Sequence, residues 1–153
     1  MIKLTIGDTI PEFSVKNKWG DTITNASIAG KNVIFYFYPK DDTPGCTTEG
    51  NDFSRLNDDF NKKNTIIFGI SKDSEAKHLK FCKKYNFKHQ LLSDADGALC
   101  DAFGVWQEKK MMGKTTMGIV RTTFLIDGNG KISHIWPKVK VNGHAELVLD
   151  TLA

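Results

Sequence analysis

The stretch Val33-Ile34-Phe35-Tyr36-Phe37-Tyr38 is the longest apolar run in the chain. Six β-branched or aromatic residues without a polar alternate describe a strand buried on both faces. Such strands sit inside sheets whose two sides are covered by helices. Immediately downstream comes Pro39-Lys40-Asp41-Asp42-Thr43-Pro44-Gly45-Cys46. From Thr47 onward the spacing turns helical, with Phe53, Leu56 and Phe60 on one face and Gly50 as a modest weak point. Thr43 as N-cap followed by Pro44 at N1 is a favourable helix start. Cys46 thus falls where a buried strand hands over to a helix. A thiol there meets unpaired backbone N–H groups and the positive end of the helix dipole, which favour the nucleophilic thiolate.

The remaining pattern predicts an α/β sandwich with a mixed central sheet flanked by helices. Phe13–Val15 and Thr22–Thr24 read as short strands around a turn at Trp19–Asp21. Thr65–Ser71 reads as a second buried strand, followed by a helix from Asp73 or Ser74 to Tyr85. Asp96-Gly97 marks a turn before a short helix, Ala98 to Phe103. Arg121–Ile126 and Lys131–Trp136 flank Asp127-Gly128-Asn129-Gly130, the clearest hairpin signal present, and Gly143–Leu152 closes with a helix. Strand–helix–strand–helix, then a hairpin and a helix, is an α/β order. Gln107 to Met117, rich in Lys and Met, reads as a solvated loop, or as a border of the substrate entrance through Met111 and Met112.

The 153 residues fit one domain, 1–153, with no repeat or linker. A net charge of +3, with no basic cluster longer than three residues, argues against a nucleic-acid partner. No stretch approaches the roughly 20 apolar residues that span a bilayer, and the first residues show no signal-peptide core. Cys46, Cys82 and Cys100 are an odd number at wide spacing. That suits a reducing cytoplasm better than a secreted disulfide framework. His78, His89, His134 and His144 show no ligand pairing with them, so neither a metal nor another cofactor is expected, and the histidines receive no role.

Pro39-x-x-x-Thr43-x-x-Cys46, with Arg121 later in the chain, resembles the active-site signature of the peroxiredoxins. The longer phrase from Phe37 to Glu49 resembles the bacterioferritin comigratory protein (peroxiredoxin Q) subfamily. Leu92–Asp94, Phe103–Trp106, Met112–Lys114 and Arg121–Asp127 are similar to it as well. The resemblance implies a thioredoxin-like fold and reduction of hydrogen peroxide and organic hydroperoxides by Cys46. It also implies thioredoxin or a similar dithiol protein as reductant, and a monomer or weak dimer. Many members carry a second cysteine five positions after the first; here that position is Asn51. Others carry it in the next helix, where Cys82 stands.

Breaking an O–O bond needs more than an ionised sulfur. Lowering a thiol's pKa from ~8.5 to ~6 raises its thiolate fraction at pH 7 roughly 30-fold. The accompanying loss of nucleophilicity, at a Brønsted slope of ~0.45, takes back about 13-fold. The rate must therefore come from groups that hold the stretched peroxide better than the ground state. The resemblance assigns these roles, and the residue types suit the chemistry. Arg121 offers a planar fork of donors to sulfur and peroxide, and the Thr43 hydroxyl both donates and accepts. Backbone N–H groups of Gly45 and Cys46 hold peroxide oxygens, Pro39 walls off water, and Glu49 orients Arg121 or serves as an ordinary first-turn acid.

Cys82 is open between two readings. It lies mid-face among Ala76, Leu79, Phe81 and Tyr85, where a core cysteine would lie. As the resolving thiol it must leave that face, because a disulfide needs its Cα atoms within about 7 Å. The alternative is a one-cysteine cycle recycled by an external thiol. Cys100, in a short apolar helix, reads as packing. Two rival functions share the scaffold: a thioredoxin-like disulfide reductase, which wants Cys-x-x-Cys where this chain has Cys46-Thr47-Thr48-Glu49, and a holdase with no need of Cys46.

Overall fold

The structure, a computed structural model, describes Ile2 and residues 4–152, with the side chain of Met111 left out. The apolar run forms β3 (Asn32–Phe37), an interior strand of a seven-stranded mixed sheet. Parallel pairing joins β3 to β4 (Thr65–Ser71) and β4 to β5 (Gln90–Ser93). Antiparallel strands complete both flanks. β1 (Ser14–Asn17) and β2 (Thr22–Thr24) extend from β5, while β8 (Thr122–Ile126) and β9 (Ile132–Trp136) extend from β3. The β8–β9 turn is fastened by Asp127, whose Oδ1 accepts from the N–H of Asn129 and Lys131. This is the expected α/β sandwich, with α1 (Asn25–Ile28) as an extra short turn before β3.

β3 builds two cores because its side chains alternate. Val33, Phe35 and Phe37 enter one cluster with Ile28 of α1 and with Leu99 and Cys100 of α4 (Ala98–Ala102). Ile34, Tyr36 and Tyr38 enter the other. There they meet Phe53, Leu56 and Phe60 of α2 (Pro44–Lys62), Phe81 and Cys82 of α3 (Glu75–Tyr85), and Val148 of α5 (His144–Thr151). The helices α2 and α3 are successive crossovers stepping the same way across the sheet. The right-handed rule puts such crossovers on one face, so Cys46 and Cys82 share a core and Cys100 lies across the sheet.

Two glycines permit close approach. A Cβ on Gly50 would come within 2.4 Å of the Phe87 ring, which seats the end of α3 against α2. A Cβ on Gly69 would come within 2.6 Å of Tyr36, so β4 makes room for that ring.

The segment 107–117 differs from the expected loop. It lies in a two-stranded hairpin, β6 (Trp106–Met111) and β7 (Lys114–Ile119), apart from the main sheet. Met112 and Gly113 both have positive φ, as a two-residue hairpin turn of the favoured hand requires. Most of β7 is exposed, so the segment lacks the hydrophobic alternation that marks a half-buried strand. Met112 stands fully exposed at the tip, while the side chain of Met111 lies outside the described residues.

The buried stripe of α3 also differs. His78, Phe81 and Cys82 face the core, whereas Ala76 is exposed and Leu79 is 37 % exposed. His78 can be buried because both ring nitrogens have partners, Asp41 and the Leu92 carbonyl.

Candidate active site

The helix α2 starts as its sequence dictates. Thr43 occupies the N-cap position in extended conformation and Pro44 follows at the first helical position. Cys46 is the third residue, and the helical ladder opens with Thr47 N–H donating to Thr43 O at 2.8 Å. The N–H groups of Gly45 and Cys46 stand ahead of that first bond, directed out of the helix start. The Cys46 sulfur itself is buried.

Arg121 reaches this point because of strand order. Antiparallel pairing of β8 with β3 sets Thr122 opposite Phe37, at the end of β3 that feeds the Cys46 loop. Arg121 immediately precedes Thr122, so 75 residues of sequence separation collapse to one contact: its Nη2 donates to Cys46 Sγ at 3.3 Å. Nη1 donates to Glu49 Oε1 at 2.6 Å. Cys46 and Glu49, three apart on α2, lie on one face and receive the two arms of one guanidinium. Gly45 belongs to the same contact. A Cβ there would stand 3.2 Å from Arg121 Nη2, tight enough to push the guanidinium outward.

The electrostatics oppose burial to pairing. Glu49 is 1 % exposed and its Oε2 has no protein partner. Burial pushes its carboxyl up to about 7, even though Arg121 pulls the other way. Burial alone would lower Arg121, but the Glu49 carboxylate and the Cys46 sulfur outweigh it and hold the guanidinium above its ordinary value. Burial pushes the Cys82 thiol up, against the pull of the Lys18 ammonium. Burial also pushes the Cys100 thiol strongly up, and the Asp94 carboxylate adds to the effect.

The structure thus gathers Cys46, Gly45, Glu49 and Arg121. The Thr43 hydroxyl donates to Lys40 O at 2.9 Å, so its proton is directed into the loop, and it caps no helical N–H. Pro39 is exposed at the rim. Cys46, Cys82 and Cys100 are all free and buried. The histidines have no role legible in the sequence, yet three are buried and bonded. His78 holds Asp41, His89 meets the Tyr36 hydroxyl at 2.6 Å, and His144 meets the Thr123 hydroxyl at 2.8 Å. Burial pushes His89 down to about 3 and His144 to about 4, so both are neutral near pH 7. The one available signal was that His78 falls one helical turn before Cys82. Among the described residues no cluster of three His, Cys, Asp or Glu could hold a metal ion. Nor is any described helix long and apolar enough to cross a membrane.

Known proteins resemble this chain over nearly its whole length. Residues 6–135 match the AhpC/TSA family. The putative peroxiredoxin bcp of Coxiella burnetii is 44 % identical over 151 residues, covering 99 % of this chain and all of that protein. Peroxiredoxin Bcp of Bacillus subtilis is 44 % identical over 149 residues, covering 97 % of this chain and 95 % of its own. A solved structure of Xanthomonas campestris peroxiredoxin Q superposes with a TM-score of 0.89 at 45 % identity, covering 99 % of this chain and 96 % of its own. A family match over most of the sequence, near-full-length relatives above 40 % identity and a shared thioredoxin-like sandwich agree: this chain belongs to the AhpC/TSA family, among the Bcp or peroxiredoxin Q peroxiredoxins.

Proposed function

We propose that the protein is a thiol peroxidase in which Cys46 attacks the terminal oxygen of a hydroperoxide. The observation that carries this reading is the Arg121 guanidinium, one arm on Cys46 Sγ and the other on buried Glu49, at the open start of α2. In the first step a sulfur–oxygen bond forms and the O–O bond breaks. Cys46 becomes a sulfenic acid, and the departing alkoxide or hydroxide takes a proton to leave as alcohol or water. Arg121 and the N–H groups of Gly45 and Cys46 supply donors where negative charge moves from sulfur to the leaving oxygen. Glu49 acts by orienting Arg121. Thr43, once its hydroxyl turns from Lys40 O to an incoming peroxide, accepts from the bound oxygen or donates to it. Pro39 shields the rim. Hydrogen peroxide and organic hydroperoxides are the substrate class, in keeping with the alkyl peroxide reduction attributed to the Xanthomonas campestris bacterioferritin comigratory protein.

Cys82 is the resolving thiol in this reading. It lies in the same core cluster as Cys46, on the same face of the sheet. A dithiol protein such as thioredoxin then reduces the disulfide, and the protein works as a cytoplasmic monomer of one domain. A disulfide-reductase role is disfavoured because Glu49 stands where Cys-x-x-Cys needs its second thiol, and its carboxylate is engaged by Arg121.

The test is peroxide consumption with thioredoxin, its reductase and NADPH. Wild type should turn over, and Cys46→Ser should fall to background while keeping its fold. Cys82→Ser should react once and then stall. Turnover by Cys46→Ser would refute the peroxidase reading; sustained turnover by Cys82→Ser would favour the one-cysteine cycle.

A further inference from the structure

Asp41 and Asp42 belong to the loop that leads into Cys46, yet both carboxylates turn to α3. Asp41 Oδ1 accepts from the Tyr38 hydroxyl at 2.6 Å, and Oδ2 lies 2.7 Å from His78 Nδ1. The other ring nitrogen, Nε2, lies 2.9 Å from the Leu92 carbonyl, which can only accept, so Nε2 carries a hydrogen. Nδ1 and the Asp41 carboxyl therefore share one further proton, in a site where His78 has no exposed surface. Asp42 grips the other end of the helix. Lys84 Nζ donates to it at 2.8 Å and the Tyr85 hydroxyl at 2.7 Å. The loop thus holds α3 on both sides of Cys82. Between the two grips, loop and helix leave a cavity of about 390 Å³ lined by Lys40, Lys77, Lys80 and Phe81 among others. Beside these side chains, the Asp41 N–H donates to Asp73 Oδ2 at 2.8 Å, and Tyr38 packs on Phe81 of the helix.

We infer that the Asp41–His78 contact is a latch that sets how often α3 leaves the loop, and so how readily Cys82 becomes available to oxidised Cys46. This rests on Cys82 being the resolving thiol. In that step the Cys46–Cys82 S–S bond forms and the S–OH bond of the sulfenic acid breaks. The hydroxyl leaves with the Cys82 thiol proton as water, and the peroxide already consumed is the only oxidant. With the latch closed Cys82 is buried in the core, and in this reading the step waits for the helix to release it. His78 is a positioning residue, acting on the reaction only through Asp41 and the helix.

Thiol labelling of the reduced protein tests it, in a Cys46→Ser background that leaves Cys82 and Cys100 to react. Removing one partner of a buried pair strands the other, so His78→Phe and Asp41→Ala should each speed Cys82 labelling about tenfold or more. Cys100, on the opposite face of the sheet, should keep its wild-type labelling rate. With Cys46 restored, one equivalent of hydrogen peroxide should produce the Cys46–Cys82 disulfide faster by the same factor, while the preceding oxidation of Cys46 keeps its rate. Unchanged Cys82 labelling in both variants overturns the latch, as does an equal gain at Cys82 and Cys100, the mark of general loosening. Should His78→Phe fail to fold, Asp41→Ala carries the same expectation from the loop side. A wild type that forms no Cys46–Cys82 disulfide removes the resolving role, and the ratio of Cys82 to Cys100 labelling still decides the latch.

Discussion

The two faces of the sheet bury cysteines almost equally and treat them differently. Cys100 is 0 % exposed, Cys46 2 % and Cys82 3 %. On the Cys100 face the packing is mainly hydrocarbon: Phe35, Phe37, Phe103 and Phe124 pack with ring centroids 5.0–6.3 Å apart. The Asp94 carboxylate stands beside Cys100 and accepts from the N–H of Leu99 and Cys100 at the start of α4. A thiol between apolar rings and a carboxylate has every reason to keep its proton. On the other face the same strands carry Tyr36 and Tyr38, whose hydroxyls reach His89 and Asp41. Arg121, Glu49 and His78 are drawn in beneath them. Burial therefore does not distinguish Cys46 from Cys100; the sign of the charge beside the sulfur does, a guanidinium at Cys46 and a carboxylate at Cys100.

That contrast breaks first at Arg121. Arg121→Met leaves Cys46 buried without its donor, as Cys100 is. The rate of peroxide reaction, followed by stopped-flow, should fall roughly 10²–10³-fold, the usual cost of one well-placed charge donor. A rate within a few-fold of wild type would place the catalytic charge elsewhere.

Glu49 sharpens the comparison through pH. Its carboxyl is held at about 7 in the fold against 4.5 for an unburied glutamate. Between those values the unfolded chain has lost the proton while the folded chain keeps it, so stability falls as pH rises. The full loss is about 3 kcal/mol. Glu49→Gln should remove that slope. Urea denaturation at pH 5 and pH 7.5 compares the two proteins, and parallel profiles would mean that Arg121 fully offsets the burial.

The smallest effect belongs to the dry face. Cys100→Ala should lower stability by about 1–2 kcal/mol through lost packing. The peroxide rate should stay at wild type. A slowed peroxide step in that variant would show the two faces to be coupled.

Much of the fold was legible in local pattern. The unbroken run at Val33–Tyr38 announced a strand covered twice, and Thr43-Pro44 announced the start of α2. Three features were not legible there, each for a physical reason. The β6–β7 hairpin has little buried side, so it lacks the alternation that betrays a strand. The inward stripe of α3 contains His78, a residue that hydrophobic counting places outside, because its burial depends on two partners supplied by distant segments. The contact of Arg121 with Cys46 is not in local pattern, because it depends on β8 lying beside β3, a matter of strand order that no spacing encodes. The resemblance alone named Arg121 as a donor to the sulfur and Glu49 as its orienter, and both contacts are present.

The missing side chain at position 50 carries a cost and a constraint. A glycine in mid-helix forfeits about 1 kcal/mol against alanine. Here the vacancy is occupied by the Phe87 ring, so alanine could not recover that energy without evicting it. The 19-residue helix that carries Cys46 thus gives up intrinsic helix propensity at this position. That local weakness and the tight seat of the Phe87 ring are one and the same feature, and neither could be altered alone.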